Sequence, residues 1–139
     1  MSFSSIYEIA GSAMSAQTIR LNTVASNMAN ADVVSGSEAD AYRAKRPVFS
    51  TVMFDMNSAV AGAKVQVDEV IESDEPLLRR YEPHHPQANK DGYVFHSTVN
   101  VVEEMADMMA ASRNFETNVD VMSRARSMQQ SILRLGQTG

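Results

Sequence analysis

From Asn100 to Leu135, apolar or small side chains recur at alternating spacings of four and three: Val101, Met105, Met108, Ser112, Phe115, Val119 and Met122. Arg126, Gln129 and Leu133 continue the register. Such spacing sets one side chain per turn on a single stripe of an α-helix, the a/d seam of a coiled coil. No proline interrupts the run. Asn100 is placed to cap the first free N–H groups, with Glu103 reaching back in a capping box. Gly136 follows the last periodic residue, where a left-handed cap costs least. Glu103, Glu104 and Asp107 near the start and Arg124, Arg126 and Arg134 near the end complement the helix dipole. At about 1.5 Å per residue the helix runs roughly 50 Å, too long for one short partner to cover.

The other end of the chain carries a second seam: Phe3, Tyr7, Ala10, Met14, Gln17, Leu21, Val24 and Met28. Ser5 and Glu8 have capping-box spacing, and the pattern predicts a helix from Ser5 to Asn30. Ala13, Ala16, Ala25 and Ala29 between the seam positions let another backbone come close, and Glu8 and Arg20 are the only charges in the first thirty residues.

Two helices at opposite ends pair most simply as an antiparallel or steeply tilted coiled coil closed by the intervening chain. A buried Val, Leu or Met contributes roughly 1.5–3 kcal/mol, whereas ordering each residue costs about 1–2 kcal/mol. One narrow seam is therefore marginal. Val102, Met109, Val121, Met128, Ile132 and Leu135 lie off it and stay exposed in a lone hairpin, as surfaces awaiting partners do.

The middle differs in character. Ser35-Gly36-Ser37 reads as loop. Residues 47–54, 64–71 and 77–81 read as short strands, with alternation clearest from Val65 to Asp68. Residues 57–62 have the composition of a loose connection. Seven basic and eleven acidic residues fall between Ala31 and Ser97. The predicted architecture is mainly α: long N- and C-terminal helices pairing as a coiled coil, with a small loop-rich β insertion. It divides into an N-terminal helical assembly segment (1–31), a loop- and β-rich middle region (32–97) and a long C-terminal helix (98–139).

Composition narrows the chemistry. A net charge of −5 over 139 residues argues against nucleic-acid binding, which needs clustered Lys and Arg. The absence of cysteine excludes disulfides, thiolate nucleophiles and Cys-based metal sites. No apolar run approaches the length of a membrane span, so direct membrane insertion is not expected. The N-terminus lacks the basic-then-apolar layout of a cleaved secretory signal. Ten methionines suit irregular contacts between helices, as core filler or as a plastic assembly surface.

Glu82, His84, His85 and Asp91 are the one grouping with metal-ligating side chains. Neighbours in an extended segment point in opposite directions, and Pro83 and Pro86 favour extension, so the group reads as a braced connector leading to an Asp91-Gly92 turn. There is no nucleophile elbow, and Ser35-Gly36-Ser37 lacks the second glycine and lysine of a phosphate loop. Arg79 and Arg80 read as a solvated pair. Neither enzymatic activity nor a cofactor is expected.

Three stretches together resemble the bacterial flagellar rod and hook axial proteins, with a proximal rod subunit as the nearest match. The first runs Gln17-Thr18-Ile19-Arg20-Leu21-Asn22-Thr23-Val24-Ala25-Ser26-Asn27-Met28-Ala29-Asn30-Ala31-Asp32, carrying the motif residues Asn22, Asn27, Ala29 and Asn30. The second is Tyr42-Arg43-Ala44-Lys45-Arg46-Pro47-Val48-Phe49. The third joins Tyr81-Glu82-Pro83 and Asp91-Gly92-Tyr93-Val94 to Val101-Val102-Glu103-Glu104-Met105 and Ala111-Ser112-Arg113-Asn114-Phe115-Glu116-Thr117-Asn118-Val119. The His84-His85 pair and Val33-Val34-Ser35-Gly36 depart from the family pattern.

The resemblance implies a structural subunit exported from the cytoplasm by the flagellar type III apparatus without a cleaved signal peptide. It implies assembly through the terminal helices into the periplasm-spanning rod of the basal body, a helical tube that transmits torque. Partners would be other rod proteins, copies of itself, and inner-membrane ring or export-gate components. Phe3 and Tyr7 could form the export signal. The motif asparagines would fix backbone and inter-subunit hydrogen bonds, or simply close the first helix. Two other readings stand beside this one: a soluble helical adaptor or export chaperone that binds partner helices, and a metal-dependent hydrolase built on His84 and His85.

Overall fold

The computed structural model describes residues 3–53 and 62–137. Helix α1 spans Phe3–Ala29 and helix α2 spans Val101–Gln137, with five strands among the described residues between them. Strands β2 (Lys45–Met53) and β3 (Ala63–Glu72) form a two-stranded antiparallel ribbon. Strands β1 (Val34–Ser35), β5 (Tyr93–His96) and β4 (Leu78–Tyr81) form a second, three-stranded antiparallel sheet in that order. Two long helices and a small β insertion are thus present. Phe54 of the first expected strand and residues 57–61 of the expected connection lie outside the described residues.

Several local expectations are corrected. Helix α1 is already formed at Phe3, so Ser5 sits inside it, buried, rather than at its cap. Its C-terminus closes without left-handed backbone: Asn30 N–H is shared between the Ser26 and Asn27 carbonyls (3.2 and 3.1 Å), and Asn30 Nδ2 donates to Ser26 O at 2.7 Å. Asn100 does cap α2, its Oδ1 accepting from Val102 N–H at 3.1 Å. Glu103, however, turns to Arg46, 3.8 Å away. Helix α2 continues through Gly136, which keeps helical backbone instead of the left-handed conformation of a C-cap. Ser35, expected as loop, lies with Val34 in a short strand that pairs with Phe95-His96.

The ribbon lies along α1. Ser12 Oγ accepts from Val65 N–H at 3.2 Å while donating to Ile9 O, and Lys64 Nζ stands 3.9 Å from Glu8. A bulge opposite Val48 and Phe49 leaves Asp68 as the extra residue, tied by Ser50 Oγ at 2.7 Å. At its base, Arg43 Nη1 donates to the Ser73 and Glu75 carbonyls (3.3 and 3.0 Å). In the three-stranded sheet Val94 is fully buried. Gly92 turns the chain into β5 at a φ of +79°, with Asn89 Oδ1 accepting from Asp91 and Tyr93 N–H groups.

Among the described residues the buried apolar ones are Ala10, Ala16, Val24, Ala41, Ala44, Val94, Ala111 and Ala125. A core made mostly of alanine lets backbones approach closely but withdraws little apolar area from water. The larger apolar side chains therefore remain at the surface.

Candidate assembly surfaces

Helices α1 and α2 pack antiparallel. Tyr7 Oη donates to Gln129 Oε1 at 3.2 Å near one end of the pair. Arg20 Nη2 bonds Asp107 Oδ1 at 2.8 Å, and Asn27 Nδ2 bonds Glu104 Oε2 at 3.1 Å near the other. This order brings the helix start Asn100–Asp107 beside the closing turns of α1.

There the chain ties a polar knot around Asn27, which is wholly buried. Its Nδ2 donates to Lys45 O (2.9 Å) and to Glu104, and its Oδ1 accepts from Lys45 N–H (2.8 Å) and Tyr42 Oη (3.0 Å). Both donors and both acceptor positions of the amide are thereby filled. Glu104 is equally buried. Its Oε1 accepts no hydrogen bond among the described residues; Arg46 Nη1 stands 3.2 Å from it as a charge contact. Arg46 also bonds Asp107 at 3.2 Å, so one guanidinium serves Glu103, Glu104 and Asp107 together. A carboxylate shut from water needs such partners, since burying it unpaired costs several kcal/mol. The knot joins α1, α2 and the root of the ribbon, and so sets how the β insertion sits on the helix pair.

Of the other motif residues, Asn30 serves the helix end, while Asn22 and Ala29 are exposed. Along α1, Tyr7, Met14, Gln17, Leu21 and Met28 are half-buried, and Ala10 and Val24 fully buried. Phe3 is half-buried in the first turn.

On α2 the face turned to α1 is Glu104, Met108, Ala111, Phe115, Asn118, Met122 and Ala125. These residues also alternate at four and three. They share Met108, Phe115 and Met122 with the expected seam but replace Met105 by Glu104, Ser112 by Ala111 and Val119 by Asn118. The helix is therefore rotated by about half of one 100° residue step. Ser112 is half-buried, and Val101, Met105 and Val119 are exposed by 41, 50 and 40%. The buried Glu104 draws this face inward, and Ala111 and Ala125 allow close approach. Local sequence weighs against a stripe containing Glu and Asn; only the long-range match to Asn27 and Arg46 reveals it.

The six positions left off the seam, Val102, Met109, Val121, Met128, Ile132 and Leu135, are all exposed, by 42 to 75%. Val121, Met128, Ile132 and Leu135, with Ala125, continue as a row spaced four and three along one side of α2. A shallow groove lined by Ile6, Ile9, Ala10, Asn118 and Val121 opens beside it.

The connector is organised by local bonds. His85 N–H donates to Glu82 O at 3.0 Å, His85 Nδ1 accepts from Gln87 N–H at 3.1 Å, and Glu82 faces Arg80 Nε at 3.4 Å. Arg79 stacks over the Tyr93 ring at 4.4 Å. Among the described residues no three His, Cys, Asp or Glu side chains are placed to hold a metal ion, and no helix is long and apolar enough to cross a membrane.

The family model for "Flagella basal body rod protein" matches residues 8–36, and that for "Flagellar basal body rod FlgEFG protein C-terminal" matches residues 90–135. Flagellar basal-body rod protein FlgC of Escherichia coli O157:H7 is 45% identical over 139 residues, 99% of this chain and 100% of its own. FlgC of Salmonella typhimurium strain LT2 is 44% identical over 137 residues, again 99% and 100%. FlgC of Bacillus subtilis strain 168 is 30% identical over 141 residues, 92% and 94% of the two chains. At these identities over nearly the whole of both chains, the chain belongs to the FlgC family of flagellar basal-body rod proteins, structural subunits of the bacterial flagellar rod.

Proposed function

We propose that this subunit enters the proximal rod through its terminal helices. Segments 1–31 and 98–139 pair as a coiled coil and line a helical tube, while 32–97 forms its outer elaboration. The observation that supports this reading most is the row of exposed Val, Met, Ile and Leu on α2, which α1 leaves uncovered. Rows of that kind gain roughly 25 cal/mol for each Å² of apolar surface withdrawn from water, and among the described residues nothing withdraws it, which favours neighbouring molecules. Heterologous contacts repeated between copies and near-copies generate an open helix, the geometry of a tube that transmits torque.

The neighbours are other rod proteins, copies of this chain and inner-membrane ring components. The chain reaches them from the cytoplasm through the type III export gate, without signal-peptide cleavage, with Phe3 and Tyr7 as the export signal. The deciding experiment introduces the tagged chain into a motile bacterium lacking its own copy of the subunit. Recovery of the chain in purified basal bodies, together with restored swimming, is expected. A chain that stays cytoplasmic and bound to other export substrates would instead make it an adaptor or export chaperone.

A further inference from the structure

Two strand edges carry main-chain groups with no hydrogen-bond partner among the described residues. In the β2–β3 ladder Ser73 N–H donates to Ala44 O, and Pro47, opposite Val70, has no N–H to give. The bonded pairs are therefore Ala44–Ser73, Arg46–Ile71 and Val48–Glu69, and the N–H and C=O groups of Val70 and Glu72 point away from β2. The other edge of the ribbon is taken at this level, because Asn27 holds both main-chain groups of Lys45. In β4, Glu82 N–H donates to Gly92 O, so Arg80 and Leu78 also bond β5, and the main-chain groups of Arg79 and Tyr81 point outward. Strand β4 meets no described helix or strand except β5, and β3 and β4 do not meet each other.

The two edges differ in charge. Glu69, Val70, Ile71 and Glu72 are all exposed, as are Leu78, Arg79, Arg80 and Tyr81. Neither glutamate forms an ion pair among the described residues. Lys45, across the ladder from Glu72, lies over the Tyr42 ring. Arg43 turns to Glu38 and to the Ser73 and Glu75 carbonyls, and Arg46 to the carboxylates of α2. Arg79 lies flat on Tyr93, which holds its guanidinium beside the open edge of β4.

We infer that the β3 edge of one copy of this chain joins the β4 edge of a second copy, making one antiparallel sheet through both molecules. The inference rests on the rod-subunit reading and specifies one contact within it. When both outward residues of each edge bond, Glu72 falls opposite Arg79 and Val70 opposite Tyr81, with Ile71 opposite Arg80 on the other face. The first pair matches charges, and the second sets a β-branched side chain against an aromatic ring. Main-chain bonds supply the affinity of an added strand, and the side chains select its partner. Two β3 edges would bring glutamates together and two β4 edges arginines, so only unlike edges join. The contact is head-to-tail and leaves one edge of each kind free at the ends, as helical growth requires.

The chain has no cysteine, so engineered thiols are the only ones it carries. Ile71 and Arg80 form a non-bonded pair in this register, with Cα atoms about 4.5 Å apart, within reach of a disulfide. A motile bacterium lacking its own copy of the subunit produces full-length Ile71→Cys and Arg80→Cys chains together, and its basal bodies are purified and oxidised. A disulfide-linked dimer is expected from the two together and from neither alone. Val70→Cys with Arg80→Cys, on opposite faces of the joint sheet, should not link. Glu72→Arg should lower incorporation into basal bodies by about tenfold, and adding Arg79→Glu to the same chain should recover most of it. Helical circular dichroism equal to that of the wild type verifies that each variant folds. If basal bodies containing both thiol variants yield no linked dimer, if Val70→Cys links as readily as Ile71→Cys, or if the second charge change recovers nothing, the edge contact is wrong while the rod reading stands. If the wild-type chain itself fails to enter basal bodies, both fall.

Discussion

Asn27 and Glu104 stand 77 residues apart in the chain, and a 3.1 Å hydrogen bond joins them where both side chains are closed to solvent. The same amide holds both backbone polar groups of Lys45, so a single side chain binds the end of α1 to the start of α2 and the root of the ribbon. Asn27→Ala removes two donors and two acceptors at once and leaves Glu104 with Arg46 as its remaining partner. A loss on the order of 2–4 kcal/mol is expected, read as a lower urea midpoint of the helical signal in the isolated chain. Asn27→Asp should be at least as damaging, because it sets a second carboxylate against Glu104. A midpoint unchanged in both would mean that the knot contributes nothing to folding.

Phe115 and Met105 separate folding from assembly. Phe115 lies half-buried on the face that meets α1, whereas Met105 is 50% exposed on the rotated flank. Phe115→Asp should destabilise the isolated chain by several kcal/mol through burial of a charge. Met105→Asp should shift it by no more than about 0.5 kcal/mol, as surface changes do. The proposed tube predicts that both lose incorporation into basal bodies, Met105→Asp through the interface alone. Equal destabilisation of the lone chain by the two variants would count against the rotated face.

Gly92 is required by geometry. At its φ of +79° a side chain is strained, and a Cβ there would lie 2.8 Å from the Tyr81 ring and 3.2 Å from Pro83 Cβ. Gly92→Ala should cost about 1–3 kcal/mol and loosen the pairing of β4 with β5, visible as faster amide exchange across Arg79–Tyr81. Gly11→Ala provides the control. Nothing lies within 4 Å of its Cβ position, so it should stabilise α1 by about 1 kcal/mol.

Features with a local cause were legible in the sequence. The spacing of four and three that runs through Val24 and Met28, and again through Met108 and Phe115, is a property of neighbours along the chain, and both helices follow from it. The alternation from Val65 to Asp68 likewise marks the ribbon. The face that α2 turns inward was not legible, because Glu104 looks like a surface residue until Asn27 and Arg46 surround it. Strand β1 has no signal of its own: Val34-Ser35 is extended only because Phe95 and His96 lie beside it. Gly136 carried a helix-stop signal, but glycine permits left-handed backbone without requiring it, and the helix runs on to Gln137. At the proposed assembly surfaces, the leftover apolar positions of α2 could be read in advance.

Ile132 gives the sharpest test of what those leftover positions do. It is 53% exposed, and the residues around it on α2, from Ser127 to Leu135, are exposed as well. Ile132→Asp together with Met128→Asp therefore removes little that the isolated chain buries, and its urea midpoint should move by less than about 0.5 kcal/mol. In a rod the same two carboxylates would sit in an apolar contact between molecules, where each unpaired charge costs several kcal/mol. Export should continue, since the first helix is untouched, while the subunit is lost from purified basal bodies and cells stop swimming. The conservative pair Ile132→Leu with Met128→Leu keeps the apolar surface and should retain motility. If the two aspartates leave swimming intact, the exposed row of α2 faces water in the rod as well, and the tube must be held by other surfaces.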